Sequence, residues 1–67
     1  MNWFYPKARK VIVHTKTDKS FRGFLMRKLG DVLWLKKAEL LAEKEAIPLD
    51  GDVLIERDNV DFVQVIV

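Results

Sequence analysis

His14 and Ser20 are the only histidine and the only serine of the 67-residue chain, and there is no cysteine. A nucleophile would have to be built from this pair, because a serine attacks only when a neighbouring base takes its proton. The two lie in or beside one hairpin, with no signature motif around either. His14 therefore reads as a strand residue on a partly exposed face. The carboxylate pairs Glu43/Glu45 and Asp50/Asp52 fall in turns and read as solvated groups, not as an acid–base dyad. Gly23, Gly30 and Gly51 are isolated, so no phosphate-cradling loop is formed. One histidine with scattered carboxylates makes a poor ligand set. No catalytic residue, metal or cofactor is assigned, and an enzyme is not expected.

A second kind of chemistry is better represented. Trp3, Phe4 and Tyr5 are followed at once by Lys7, Arg9 and Lys10. Aromatic faces beside cations can stack bases and neutralise phosphates. Trp3, Tyr5, Lys7, Arg9 and Lys10, with Arg57 and Asn59, are the candidate nucleic-acid contacts. The same aromatics could instead cover an open end of the fold or plug a neighbour. Charge is uneven along the chain. Residues 1–37 hold ten Lys and Arg against two Asp, a net of +8, whereas residues 38–67 net −6. Such polarity suits an RNA or DNA partner, an acidic partner, or subunits that join basic edge to acidic edge; equally, the two halves of a small barrel interleave, and the charges then mix over the folded surface.

These groups need elements to hold them. Val11–Thr15 is β-branched and reads as a strand. Thr17–Ser20 is a polar turn, and Phe21–Lys28 a second strand, interrupted by Gly23. Leu29–Asp31 is a turn. Val32–Leu35 starts a third strand that runs toward Ala38. Residues 38–46, AELLAEKEA, have helical composition but are too short for a stable helix; they read as a strand extension followed by a loop. Pro48–Gly51 is a turn, Val53–Glu56 a fourth strand, Arg57–Asn59 a tight connection and Val60–Val67 a fifth strand. Residues 1–9 form an aromatic and basic arm, with Pro6 stopping a strand or opening a short helical turn. The chain is expected to be all-β: one domain over 1–67, a five-stranded, strongly bent antiparallel small barrel. Gly23 is the expected hinge of the bend.

Val11-x-Val13, Phe21-x-Gly23-x-Leu25 and Leu33-x-Leu35-x-x-Ala38 resemble, in this order, the first motif of Sm-like proteins. Gly51-x-Val53-Leu54-Ile55 followed by Asp58-Asn59-Val60-x-x-Val63 resembles their second motif. The likeness runs over residues 11–65. It implies a bent five-stranded SH3-like barrel and a closed ring, in which the fourth strand of one subunit pairs with the fifth of the next. Where the family's RNA binders carry a base-holding Asn, this chain has Val32; the Asp position falls near Lys28 or Leu29. Glu56-Arg57 stands in the Arg-Gly place, and Asn59 reads as a cap of the tight connection. A valine cannot hydrogen-bond a base edge and Glu56 repels phosphate, so the family's base pocket is not expected here. The lead NWFYPKARK, the AELL stretch and the ending ERDNVDFVQVIV also resemble small barrels encoded by bacteriophages of actinobacteria. That likeness implies a place in a virion or in the cytoplasm of a host cell, with other phage structural proteins as partners.

Self-assembly draws these observations together. The stretch FVQVIV is apolar, β-prone and uncharged after Asp61, which makes an unpaired edge hazardous. With 49% apolar residues and no disulfide, a chain this small needs dense packing or partners. The expected oligomer interface comprises Val53, Leu54, Ile55, Phe62, Val63 and Val65, with Phe24 and Met26 on the outer side of the second strand. No signal-length apolar run opens the chain and nothing approaches the roughly 20 residues of a membrane span. The expectation is a non-enzymatic ring acting as a structural or adaptor piece. The alternative is an RNA- or DNA-binding ring that uses the basic N-terminal half.

Overall fold

The computed structural model describes residues 9–66. The N-terminal arm, with Trp3, Tyr5 and Lys7, lies outside them. The described chain is antiparallel β throughout: β1 (Arg9–Thr15), β2 (Ser20–Leu29), β3 (Val32–Leu41), β4 (Ala46–Pro48), β5 (Val53–Glu56) and β6 (Val60–Val65), with a single 3-10 turn at Arg57–Asn59. The sheet order is β4-β3-β2-β1-β6, and β5 also pairs with β3.

The strand count is six, not the expected five. The difference arises along β3, which is long enough to carry two short partners on one side. β5 pairs with Val32–Leu35 and β4 with Glu39–Leu41. Between them Gly51 takes a φ of +76°, which a residue with a side chain rarely adopts. The partner strand therefore breaks at Leu49–Asp52, although the Leu49 amide still donates to the Ala38 carbonyl at 3.0 Å. The strand extension expected at residues 38–46 is borne out as far as Leu41. Ala42–Glu45 then turns, closed by the Ala42 amide on the Glu45 carbonyl at 2.8 Å. No ladder joins β6 to β4 or β5 among the described residues, so a closed barrel is not shown.

Alternation along β1 points Val11, Val13 and Thr15 inward. They meet Leu25 of β2, Leu33, Leu35 and Ala38 of β3, Ile55 of β5 and Val60 of β6, with Phe21, Val53 and Val63 packed around them. Burying each of the larger side chains stabilises the fold by about 1.5–3 kcal/mol. Gly23 serves this core by being small. A Cβ there would lie 3.0 Å from the Lys36 carbonyl oxygen and 3.1 Å from the Ala38 Cα. The register between β2 and β3 slips at this point, Arg22 facing Glu39 and Phe24 facing Lys36. The extra residue is Lys37, at φ +52°.

Thr15 is the buried polar residue among those described, and it is satisfied. Its hydroxyl donates to the Lys19 carbonyl at 2.7 Å and accepts from the Lys19 amide at 3.1 Å. The turn after β1 is thereby fixed, with Asp18 at φ +62°. The Lys16 amide donates to the Asn59 carbonyl at 2.8 Å, so the same turn is tied to the start of β6.

Candidate assembly edges and loop cleft

The two ends of the sheet expose different side chains. Among the described residues, β5 is bonded to β3 along one side only, and β6 to β1 along one side only. The β1–β6 ladder continues to Ile66, whose amide donates to the Lys10 carbonyl at 2.9 Å. The outer side of each strand presents a row of backbone N–H and C=O groups, a template for another strand. Large apolar side chains are exposed on these strands: Leu54 is 63% exposed, Phe62 53% and Val65 39%. Ile55 is buried in the core, and Val53 and Val63 are half-buried against it. Of the expected interface residues, these three offer the edge their backbone more than their side chains. Phe24 and Met26 lie on β2, the middle strand of the order, away from both edges.

The basic and acidic halves of the chain do not face each other across these edges. β1, β2 and most of β3 come from the basic half and occupy the middle of the sheet. β4, β5 and β6 come from the acidic half and take both ends. Among the described residues, the joining of basic to acidic edge, one of the arrangements the sequence allowed, therefore has no counterpart.

Trp34 stands on β3 opposite Leu54. Its indole N–H donates to Asp52 Oδ2 at 2.8 Å, and the Lys36 ammonium sits 5.5 Å from the ring centroid. Sequence reasoning left Asp52 as a solvated turn residue; no local spacing signals a partner 18 positions away. Beside β5, Lys19, Phe21, Val53 and Leu54 help to line a hollow of about 460 Å³.

A second hollow, of about 260 Å³, opens where the β2–β3 turn meets the 3-10 turn, lined by Asp31, Val32, Glu56, Arg57 and Asp58. The Arg57 amide donates to the Asp31 carbonyl at 2.7 Å, which locks the two turns together. Three carboxylates surround one guanidinium here, a setting that disfavours phosphate. Asn59 is engaged with the β1–β2 turn: besides its carbonyl, its Nδ2 lies 3.4 Å from Thr17 Oγ1. Arg9 and Lys10, the other described candidates for nucleic-acid contact, are exposed at the start of β1.

His14 and Ser20 do meet. Ser20 Oγ lies 2.9 Å from His14 Nδ1, and His14 Nε2 lies 3.3 Å from Gln64 Oε1. The amide oxygen can only accept, so Nε2 carries the proton and Nδ1 accepts from the serine. Phe62 stacks on the imidazole, with ring centroids 4.2 Å apart. Gln64 is neutral and cannot stabilise an imidazolium as a carboxylate does. Neither His14 nor Ser20 lines any of the three hollows described in this chain. The group acts as a clamp across β2, β1 and β6.

No family model matches the sequence, and no curated protein matches it. Solved structures do. The Sm protein of Pyrococcus abyssii, in complex with a uridine heptamer, superposes with a TM-score of 0.79 at 26% identity, covering 90% of this chain and 86% of that one. A heptameric archaeal Sm protein matches with a TM-score of 0.79 at 22% identity, over 88% and 87% of the two chains. A chain of the NatC complex bound to CoA matches with a TM-score of 0.80 at 19% identity, over 97% and 88%. Nothing in these neighbours indicates a phage origin. The fold of this chain is Sm-like.

Proposed function

We propose that the chain assembles into a ring of identical subunits, β5 of one pairing with β6 of the next, and serves as a non-enzymatic scaffold or adaptor. The observation that carries this reading is the pair of half-bonded strands at opposite ends of one sheet, with Leu54, Phe62 and Val65 exposed on them. The assembly of a neighbour of the same fold into a heptamer supports it. Antiparallel joining would set the incoming Phe62 and Val65 beside Leu54 and the hollow next to β5. Native mass spectrometry of the purified chain tests the reading. A mass of several subunits that collapses to one on Val65→Asp is expected; a wild-type chain that stays single at micromolar concentration would end it.

A second reading has its own support: the uridine heptamer held by the Pyrococcus abyssii Sm protein. In this chain the acid-lined cleft makes a poor phosphate site. RNA would instead engage Arg9 and Lys10, continued by Trp3, Tyr5 and Lys7. A labelled oligouridylate should then be retarded at low salt, steeply less so as salt rises. Reversing the charges of Lys7, Arg9 and Lys10 should remove the retardation.

A further inference from the structure

The outer face of the middle of the sheet carries a feature that neither edge pairing nor the loop cleft uses. Phe24 is 38% exposed and, with Met26, Lys36 and Lys37, lines a hollow of about 240 Å³. Strand register sets Lys10, Phe24 and Lys36 in one row across β1, β2 and β3. Consecutive residues of a regular strand face opposite sides. The positive φ of Lys37 breaks that alternation, so both lysines border the same hollow. Gly23 makes the bulge possible by leaving room for the backbone of Lys36 and Ala38. Among the described residues no carboxylate pairs with Lys10, Lys36 or Lys37. The nearest ion pair in this part of the sheet, Arg22 to Glu39 at 2.9 Å, already satisfies Glu39.

The result is an apolar floor with a cationic rim. The lysines that line it are donors without an acceptor, so a nucleobase entering it would bury ring or amino N–H groups that nothing there can satisfy. An apolar side chain carries no such groups, and acids on either side of it would meet the lysines. Interfaces place their anchors this way, an apolar group seated centrally with charges around it. We propose that this hollow docks an acidic peptide segment, one apolar side chain resting against Phe24 and Met26 and its flanking Asp or Glu paired with Lys10, Lys36 and Lys37.

The test is fluorescence anisotropy on the full chain with a labelled peptide in which a leucine is flanked by glutamates. A matched peptide with lysines in place of the glutamates and a labelled oligothymidylate serve for comparison. The glutamate peptide should bind, more weakly as salt rises, and the lysine peptide should not. Phe24→Ala should weaken binding by about tenfold or more, with an unchanged circular dichroism spectrum. Lys36→Glu with Lys37→Glu should abolish binding of the glutamate peptide and create binding of the lysine peptide, a reversal that misfolding cannot produce. Lys16→Glu, the same substitution made once just beyond the far end of β1, should leave affinity unaltered. Subunits separated by Val65→Asp should still bind. The proposal is overturned if the wild-type chain ignores the glutamate peptide or the double variant binds it equally well. It is also overturned if oligothymidylate binds more tightly through the same side chains. A native mass that the double variant halves would overturn it too, by making a second copy of the chain the occupant.

Discussion

At the scale of the residue, Gly23 and Thr15 decide more than their size suggests. Gly23→Ala puts a methyl group 3.0 Å from a backbone oxygen of β3, and backbone cannot move aside as a flexible side chain does. A loss of about 1–3 kcal/mol is expected, which for a domain this small lowers Tm by about 4–8 °C per kcal/mol. Thermal melting followed by circular dichroism reads it. Thr15→Val keeps the shape and removes the hydroxyl, leaving the Lys19 amide without that acceptor; a loss of about 1–3 kcal/mol is expected from urea unfolding. Gly23 stands out in the sequence as a glycine inside a strand. The close approach of Ala38 and the Lys36 carbonyl depends on a bulge at Lys37, and a lysine carries no signal of positive φ. The meeting of Ser20 and His14 was legible, because one hairpin brings them together. Gln64 and Phe62, about fifty positions on, were not, because only the β1–β6 register brings them in.

At the scale of the element, the edges are the test. Phe62→Asp and Val65→Asp place a carboxylate where another strand would lie, and neither residue belongs to the buried core. Both variants are expected to stay folded by circular dichroism and to elute as single chains. Elution at the wild-type position would remove edge pairing from consideration. β1, β2, β5, β6 and the tight connection at Arg57–Asn59 could be read from β-branched runs and turn residues. β4 could not: three residues ending in a proline, preceded by helix-favouring Ala and Glu, hold their place only through pairing with β3. Its existence is a tertiary effect, in a stretch whose sequence reads as the end of a loop and the start of a turn.

At the scale of the whole molecule, charge is sorted from centre to ends. Both edges of the proposed junction are drawn from the acidic half, with Glu56 on β5 and Asp61 on β6 exposed. Attraction between opposite charges would not join them. Backbone bonds and apolar contact would have to do so, with salt screening what repulsion remains. Raising ionic strength is therefore expected to preserve or favour the oligomer in sedimentation velocity. Dissociation by salt would mean that a different, charged surface holds the subunits together.

The brevity of β5, four residues long, bears on how such an assembly comes into being. A junction this small holds two copies only weakly on its own. Closing the circle adds one more junction without immobilising another copy, so the complete circle gains what every open arc lacks. Titration by dilution should then show full circles and free chains with scarcely any arcs between, and the transition should sharpen as the number of copies in the circle grows.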